Sequence, residues 1–496
     1  MVRTRYAPSP TGYLHVGGLR TALFSYLYAR KNGGQFLLRC EDTDRERFVA
    51  DGMKNMLDSL AWAGVIIDEG MCLNEAGEVA QKGDKGPYAQ SERLATYQIY
   101  IKQLLEKGDA YYCFCAKERL EELRKIQETN KLPTGYDGHC RTLSAEEGEK
   151  KKAEGAAFVI RMKMPKEGTT VFDDMVRGTV EFQNKLVDDQ VLIKSDGFPT
   201  YHFAVVVDDH LMEITHVIRG EEWISSTPKH IMLYQMFGWD MPRFAHLPLL
   251  VNEKKQKLSK RHGDVAVLDF AKNGYLPEAL INFIAFLGWN PGDEREIFTL
   301  SQLEQDFSIE KISKAAAVFN REKLDWYNQQ HMKFLSNAEL TDRVLPYLLD
   351  AGLVRQEDLT PQYRAWVENV IGLEKERLVT LKDAPDHTAF MFADKLEYDG
   401  ALLVWKKSTA EDAKQKLAEI KEKLSDFSEE QWKKSILEEK IIAWIKESEY
   451  GVGDVLWPTR VALSGKQNSP GPFDIMSVLG KEKTIVRLDA AMKHLP

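Results

Sequence analysis

The chain has little cysteine, no long apolar run and no excess of positive charge. Five cysteines in 496 residues, an odd number, argue against a disulfide framework and favour a reducing compartment. The most apolar stretch, residues 276–289, is interrupted by polar residues, and the N-terminus has no apolar signal segment, so we expect neither membrane insertion nor secretion. A formal net charge of −9 nominates no nucleic-acid partner by itself. We therefore expect a cytoplasmic protein, or one of an organelle matrix.

Length and periodicity indicate several domains. A chain of 496 residues suggests roughly three to five modules of about 100 to 200 residues each. In the first 90 residues short apolar runs alternate with helical patterns, which is the βαβ signature of a parallel sheet. The apolar, β-branched run 201–209 is interpreted as a buried strand that returns to this sheet. Beyond Trp326 the alternation stops, and residues such as Leu417, Ile420 and Leu424 stand at helical spacing, so we expect an all-helical C-terminal half.

Two separated segments together indicate a site that binds ATP. In residues 8–18, small residues and His15 stand where an extended segment gives way to a helix, and Gly17 and Gly18 let a nucleotide approach the helix N-terminus. The second segment, Lys257-Leu258-Ser259-Lys260-Arg261, places cations around a serine in a stretch with the composition of a loop. A lone histidine or a basic loop is more often structural, and it is the combination that favours a nucleotide site.

With these motifs the chain resembles the bacterial-type glutamyl-tRNA synthetases, a family of class I aminoacyl-tRNA synthetases. Residues 15–18 are similar to the HIGH motif of that class, and residues 257–261 are similar to its KMSKS motif. Further blocks that match in the family's order are residues 39–44, 86–93, 195–201 and 217–223. The resemblance implies ATP-dependent attachment of L-glutamate to tRNA-Glu through a glutamyl-adenylate. ATP, Mg²⁺, L-glutamate and tRNA-Glu are the expected partners of a monomer that binds no membrane.

The resemblance also implies an α/β fold with a Rossmann-like catalytic domain, an inserted α/β module that binds the tRNA acceptor arm, and helical stem-contact and anticodon-binding domains. The expected boundaries are 1–90 and 200–242 for the split catalytic domain, 91–199 for the insertion, 243–336 for the stem-contact domain with the KLSKR loop, and 337–402 and 403–496 for two helical anticodon-binding domains.

Adenylate formation needs cations at the α-phosphate of ATP. We expect Lys260, supported by Lys257, to stabilise the charge that develops there, with His15 as the third catalytic residue. By resemblance, the ATP site comprises His15, Gly17, Gly18, Glu222, Lys257, Ser259 and Lys260.

Recognition of glutamate needs a cation for its side-chain carboxylate and polar groups for its α-ammonium. By resemblance, the glutamate pocket comprises Arg5, Ser9, Glu41, Tyr201, Val205, Arg219 and Trp223. Arg5 and Arg219 are the expected cations. Val205 departs from the family pattern, since some members carry Asn there. A salt bridge between Arg5 and Glu41 that only joins two strand ends is the structural alternative.

A cysteine cluster resembles the zinc site of some family members. Cys113, Cys115 and Cys140 offer three thiolates, and a threonine stands where the family pattern has its histidine. Tyr136 or His139 is then the candidate fourth ligand of a structural Zn²⁺. Several family members lack the metal, so three unligated thiols are the alternative.

Arg377 is the candidate contact to the third anticodon base, which is C in tRNA-Glu and G in tRNA-Gln. The resemblance implies this role, and the alternative is an ion pair with Glu374 or Glu376 on a solvated helix. Two readings of function stay open beside the main one: an enzyme that also charges tRNA-Gln, and a catalytically inactive RNA-binding paralogue. The helical C-terminal half disfavours a glutaminyl-tRNA synthetase and a glutamyl-queuosine enzyme.

Overall fold

The computed structural model describes residues 1–44, 46–256, 258 and 266–495. Its backbone divides into two compact units, the first formed by Met1–Ala271 with Pro277–Leu324 and the second by Lys272–Leu276 with Asp325–Pro496. Lys257, Ser259 and Lys260, three of the residues expected at the ATP site, lie outside the described part of the chain.

The first unit contains every described strand. The strands are β1 (Arg3–Tyr6), β2 (Gln35–Leu38), β3 (Glu69–Leu73), β4 (Val79–Lys82), β5 (Ala110–Cys113), β6 (Val159–Met162), β7 (Thr169–Asp174), β8 (Gly178–Gln183), β9 (Val191–Ile193), β10 (His216–Gly220), β11 (Arg243–Leu247), β12 (Leu250–Val251) and β13 (Ala317–Val318). The helices as far as residue 306 are α1 (Val16–Lys31), α2 (Gly52–Trp62), α3 (Leu94–Lys107), α4 (Lys117–Thr129), α5 (Ala145–Ala153), α6 (Tyr201–Leu211), α7 (Thr227–Phe237), α8 (Val267–Lys272), α9 (Pro277–Ala285) and α10 (Leu300–Asp306).

An eight-stranded sheet forms the centre of this unit, in the order β4-β3-β2-β1-β10-β11-β7-β8. The six strands from β3 to β7 in that order run parallel, and β4 and β8 pair antiparallel at the two edges. Helix α1 packs on β1 through a fully buried face that includes Leu19, Leu23 and Leu27. The predicted parallel α/β sheet is therefore confirmed. Since parallel strands end on the same side, the ends of β1 and β10 open a crevice at that edge.

The strand predicted at residues 201–209 is wrong, because this stretch forms helix α6. Residues 203–209 are all buried, and the helix lies between α3, α7 and β9. A helix that is covered on every side needs no polar face, so its sequence cannot be told from that of a buried strand by periodicity. The strand that returns to the sheet beside β1 is β10.

The stretch expected as an insertion contributes to two sheets. Its strands β5, β6 and β9 form a separate antiparallel sheet, whereas β7 and β8 complete the main sheet beside β11. In the turn between β7 and β8, Arg177 donates to the carbonyl of Lys314 at 2.8 Å and forms an ion pair with Glu221. The five expected domain boundaries stay a prediction.

Beyond β13 all described elements are helical. They are α11 (Arg321–Phe334), α12 (Asn337–Asp350), α13 (Pro361–Glu374), α14 (Ala384–Phe392), α15 (Ala410–Ser425), α16 (Lys434–Glu447), α17 (Val452–Ser464), α18 (Pro472–Leu479) and α19 (Lys481–His494), with short 3-10 turns between them. In α15 the predicted apolar face is confirmed, since Leu417, Ile420 and Leu424 are fully buried in the core of the second unit. Among the described helices, none is long and apolar enough to span a membrane.

Candidate active site

A cavity of about 690 Å³ lies at the carboxyl ends of β1 and β10. Its walls contain ten of the residues predicted from the sequence, namely Arg5, Ser9, His15, Gly17, Gly18, Glu41, Tyr201, Arg219, Glu222 and Trp223. Val205 is not in the wall; it is 2% exposed and packs in the apolar core around α6. Leu258, the described residue of the KLSKR segment, lines the same cavity.

His15 forms the N-cap of helix α1. Its Nδ1 accepts hydrogen bonds from the backbone N–H groups of Gly17 at 3.1 Å and Gly18 at 3.2 Å. A ring nitrogen that accepts carries no proton, so in the neutral ring the proton is on Nε2. The imidazole is therefore fixed as a donor at the positive end of a helix, where an anion is favoured.

Gly18 is required by packing within the protein. A Cβ at this position would lie 2.6 Å from the hydroxyl oxygen of Tyr6 and 2.8 Å from Cδ1 of Leu14. At Gly17 a Cβ would meet the His15 ring at 3.0 Å. The two glycines thus allow α1 to begin close against Tyr6 and His15, which gives them a role besides access for a nucleotide.

Arg5 is held by an acidic residue of α6. Its Nε lies 3.1 Å from Oδ1 of Asp209, and both side chains are 4% exposed. Asp209 also lies 2.8 Å from Nη1 of the fully buried Arg39. Burial alone would raise the pKa of Asp209, but Arg5 and Arg39 lower it overall, so this carboxylate is charged. Arg5 is thus held through Nε by Asp209, and it is part of the cavity wall.

Glu41 pairs with Arg39 and not with Arg5, so the proposed Arg5–Glu41 salt bridge is not what holds either residue. Glu41 Oε1 lies 3.1 Å from Nη2 of Arg39, and the Ser9 hydroxyl donates to the backbone carbonyl of Glu41 at 2.7 Å. Burial raises the pKa of Glu41 to about 7, although Arg39 and Arg5 act in the opposite direction. A buried carboxylate in a cavity wall can bind an ammonium group.

Arg219, at the end of β10, is a buried cation with neutral partners. Among the described residues no carboxylate forms an ion pair with it. Its guanidinium donates to His246 at 3.0 Å, to Thr227 at 2.8 Å and, at 3.4 Å, to the hydroxyl of Tyr201. Burial lowers its pKa, but an arginine stays charged at any physiological pH. A charge that is buried this way calls for an anion from outside the chain.

Aromatic rings cover the cavity beside Arg219. The rings of Tyr201, the first residue of α6, and Trp223 lie 4.4 Å apart between centroids and are tilted by 38°. They provide an apolar wall that removes water from an ion pair formed with Arg219 and so strengthens it.

Arg20 and Glu222 form the other side of the cavity. Arg20 donates to the carbonyls of Leu287 and Pro248, and burial lowers its pKa to about 10 while Glu222 and Glu221 raise it. A Cβ at position 220 would lie 2.1 Å from Oε2 of Glu222, so glycine there lets Glu222 fold back over the end of β10.

The three predicted thiols meet in the insertion. The Sγ atoms of Cys113, Cys115 and Cys140 lie within 4.8 Å of one another. The hydroxyl of Tyr136 is 3.4 Å from Sγ of Cys113 and 3.6 Å from Sγ of Cys115, whereas His139 is exposed and outside the cluster. This donor set fits a tetrahedral zinc ion with Tyr136 as the fourth ligand.

Arg377 follows helix α13 in the second unit. Its Nε lies 2.8 Å from Oε2 of the buried Glu374, and its Nη1 donates to the carbonyl of Ser469 at 3.3 Å. The side chain is still 36% exposed. The ion pair that the sequence offers as the alternative to base recognition is thus present, and it leaves part of the guanidinium in solvent.

The sequence motifs do not include the residues that hold Arg5 and Arg219 in place. Asp209, His230 and His246 stand in no motif identified above, and only the tertiary structure brings them against Arg5 or Arg219. Arg20 also stands in no motif, and it lines the cavity itself. One signal exists for Asp209: two adjacent acids, Asp208 and Asp209, end an apolar run, and buried acids need cationic partners.

Comparison with known proteins agrees with the resemblance found in the sequence. Residues 1–326 match the family model of the catalytic domain of class I tRNA synthetases (E and Q), and residues 339–492 match that of an anticodon binding domain. The chain is similar to the glutamate–tRNA ligase of Clostridioides difficile, at 47% identity over 98% of each chain, and to that of Alkaliphilus metalliredigens, at 46% identity over 100% of this chain and 99% of the other.

Solved structures agree with these sequence relatives. The fold is similar to the crystal structure of a glutamate tRNA ligase from Elizabethkingia meningosepticum in complex with its amino acid, with a TM-score of 0.87 and 36% identity over 100% of both chains. A glutamate–tRNA synthetase from Elizabethkingia anophelis gives a TM-score of 0.85 over 99% of both chains.

Proposed function

The chain belongs to the glutamate–tRNA ligase family of class I aminoacyl-tRNA synthetases, and we propose that the cavity at the ends of β1 and β10 is where it joins L-glutamate to tRNA-Glu. The reaction consumes ATP and releases AMP and diphosphate. ATP enters as its magnesium complex and is a substrate.

One observation carries the assignment of substrate: Arg219 is a buried cation, and no described carboxylate pairs with it. A bound amino acid with a neutral side chain would leave the charge of Arg219 unpaired, at a cost of several kcal/mol by the usual order of magnitude. The side-chain carboxylate of glutamate, with its planar pair of oxygens, satisfies the guanidinium fork. Arg5, fixed by Asp209, supplies a second cation to the same pocket.

Glu41 and Ser9 are the proposed partners of the α-ammonium group. Both line the cavity, and their side chains offer a carboxylate and a hydroxyl. With both ends of glutamate held in this way, its α-carboxylate is directed toward the start of α1, where His15 and the N-terminal amides lie. Such positioning turns the attack on ATP into an effectively unimolecular step.

In the first step an α-carboxylate oxygen attacks the α-phosphorus of ATP, the bond to the bridging oxygen breaks, and diphosphate leaves. His15, with its proton on Nε2, is placed to donate to a phosphate oxygen as charge develops. Lys260 and Lys257 are proposed to stabilise the same developing charge, and this role rests on their sequence motif alone. In the second step a hydroxyl of the terminal ribose attacks the activated carbonyl, and AMP leaves.

A structural zinc ion is part of this proposal. Cys113, Cys115, Cys140 and Tyr136 would hold it, and the fit of the donor atoms supports that set over one with His139. When bound, the ion ties the strand end at Cys113 to the loop at Cys140, and it takes no part in the reaction. Arg377 is the proposed contact to the third anticodon base. The expected monomeric state and cytoplasmic location stay predictions.

A charging assay tests the function. Purified protein is mixed with ATP, labelled glutamate and tRNA-Glu, and acid-precipitable label is counted together with diphosphate release. Esterified tRNA-Glu that requires ATP supports the proposal, and a chain that charges no tRNA with glutamate contradicts it and leaves the inactive RNA-binding paralogue as the better reading.

A further inference from the structure

Arg219 is held by a continuous chain of buried hydrogen-bonding groups. Its Nε donates to Nε2 of His246 at 3.0 Å, and Nδ1 of His246 lies 2.6 Å from Oδ2 of Asp174. On the other side, its Nη1 lies 3.1 Å from Nδ1 of His230, whose Nε2 lies 3.0 Å from Nδ1 of His202. Asp174, His230 and His246 are each at most 3% exposed. The guanidinium therefore rests between two imidazole rings.

The chemistry of these groups fixes the proton positions. A guanidinium can only donate, so Nε2 of His246 and Nδ1 of His230 must accept and carry no proton. His246 then carries its proton on Nδ1 and donates it to Asp174. His230 carries its proton on Nε2 and donates it to His202. Both rings are neutral in this arrangement.

Asp174 selects the tautomer of His246. Its Oδ1 accepts three backbone N–H groups, from Val176 at 3.0 Å, Arg177 at 2.8 Å and His246 at 3.2 Å. Its Oδ2 is left to face Nδ1 of His246. The carboxylate is therefore fixed in orientation by the turn that follows β7, and it presents a pure acceptor to the ring.

We propose that Asp174, His246 and His230 are positioning residues for amino-acid selection, because they hold the guanidinium of Arg219 with neutral acceptors alone and so keep its charge available for the carboxylate of the substrate. This inference rests on the proposed function. A carboxylate in place of either ring would orient Arg219 equally well but would neutralise it. The two histidines thus orient the buried guanidinium without forming an ion pair with it.

The electrostatics of the site agree with neutral rings. Burial lowers the pKa of His230 well below its ordinary value, and the charge of Arg219 lowers it further. Burial also lowers the pKa of His246, against the effect of Asp174. The pKa of His202 falls to about 4, first through burial and then through Lys229 and Arg219. None of these three rings is therefore expected to compete with Arg219 for an anion.

The variant Asp174→Asn tests the inference with almost no change in shape. The amide oxygen must take the place of Oδ1, where three N–H groups need an acceptor, so the NH₂ group faces Nδ1 of His246. His246 then shifts its proton to Nε2 and points it at the N–H of Arg219. We expect the KM for glutamate to rise about 10- to 100-fold, the scale of losing one hydrogen bond to a charged group. The KM for ATP should stay within about threefold of the wild type.

The matched control is Asp173→Asn. Asp173 neighbours Asp174 on β7 but faces solvent, where it accepts from Thr179 at 2.7 Å. The variant Asp173→Asn should leave the KM for glutamate and the KM for ATP unchanged. A second pair covers the case in which Asp174→Asn folds poorly. His230→Leu removes the acceptor for Arg219 and should raise the KM for glutamate, whereas His230→Asn keeps an acceptor near the Nδ1 position and should raise it by a smaller factor.

The tautomer itself is read by ¹⁵N NMR of histidine-labelled protein, with His246 assigned through His246→Gln. We expect the proton on Nδ1 in the wild type and on Nε2 in Asp174→Asn. The inference is overturned if Asp174→Asn keeps the wild-type KM for glutamate, if both KM values rise together, or if the tautomer does not change. A failure of the proposed function is seen separately, as a wild type that charges no glutamate.

Discussion

Glu41 Oε1 lies 3.1 Å from Nη2 of Arg39, and the two side chains are 7% and 0% exposed. Burial raises the pKa of Glu41 to about 7 despite this partner. Glu41 binds the α-ammonium only as a carboxylate, so affinity for glutamate should be complete above that pKa and fall as the pH drops below it. We expect the KM for glutamate to rise about tenfold per pH unit below pH 7, the limit for one titrating group.

The control for this prediction is Glu41→Gln, which cannot titrate. Its KM for glutamate should be high at every pH between about 6 and 8.5, with a flat profile. A wild type whose KM for glutamate does not change over this range would show that Glu41 does not contact the substrate as a carboxylate.

Gly18→Ala separates packing from nucleotide access. The new Cβ would lie 2.6 Å from the Tyr6 hydroxyl, so we expect a loss of about 1 to 3 kcal/mol in the free energy of unfolding. Calorimetry should show a lower unfolding temperature, and Tyr6→Phe in the same chain should recover part of it. A variant that unfolds like the wild type but no longer uses ATP would mean that the nucleotide, and not Tyr6, requires the glycine.

The zinc site predicts about one zinc ion per chain in protein purified without chelator, by elemental analysis. Cys115→Ser should lose the metal, because closed sites need all four ligands. Tyr136→Phe and His139→Ala decide the fourth ligand: the first should weaken zinc retention during dialysis and the second should not. If His139→Ala weakens zinc retention and Tyr136→Phe does not, His139 is the fourth ligand. A metal-free protein that charges tRNA normally would contradict the prediction of a structural zinc ion.

Arg377→Gln tests recognition of the third anticodon base. One such contact is worth about 1 to 3 kcal/mol of discrimination, so the preference for tRNA-Glu over tRNA-Gln should narrow by about 5- to 100-fold. The matched control is Glu376→Gln at the adjacent exposed position, which pairs with Lys333 at 3.0 Å and should not alter the preference. If Arg377→Gln lowers thermal stability and leaves the preference unchanged, the arginine serves only to pair with Glu374.

Local pattern predicts much of this fold and much of its site. The helical period of α15 is found from sequence because only one face of that helix lies in a core. The strand β2 is found as one of the short apolar runs near the N-terminus, since a buried strand of a parallel sheet is apolar on both faces. Ten of the predicted residues line one cavity, and nine of them do so because they lie in or after the parallel strands β1, β2 and β10, which end at one edge.

The rest depends on contacts between distant parts of the chain. Residues 203–209 of α6 are all buried, so the helical period cannot be recognised locally. The adjacent acids Asp208 and Asp209 indicate that a cation is needed, but not that Arg5 is that cation. His246 and Asp174 are separated by 72 residues and meet only because β7 pairs with β11. No local pattern indicates that Arg219 is held by imidazoles and not by a carboxylate.

The central claim is that the unpaired charge of Arg219 recognises the side-chain carboxylate of glutamate. It is tested most directly by the charging kinetics of Arg219→Gln with tRNA-Glu, measured against glutamate and against ATP. Loss of a buried charged partner costs about 2 to 5 kcal/mol, so kcat/KM for glutamate should fall about 30-fold or more, with the KM for ATP nearly unchanged. Equal losses toward glutamate and ATP, or an unchanged kcat/KM for glutamate, would contradict the account.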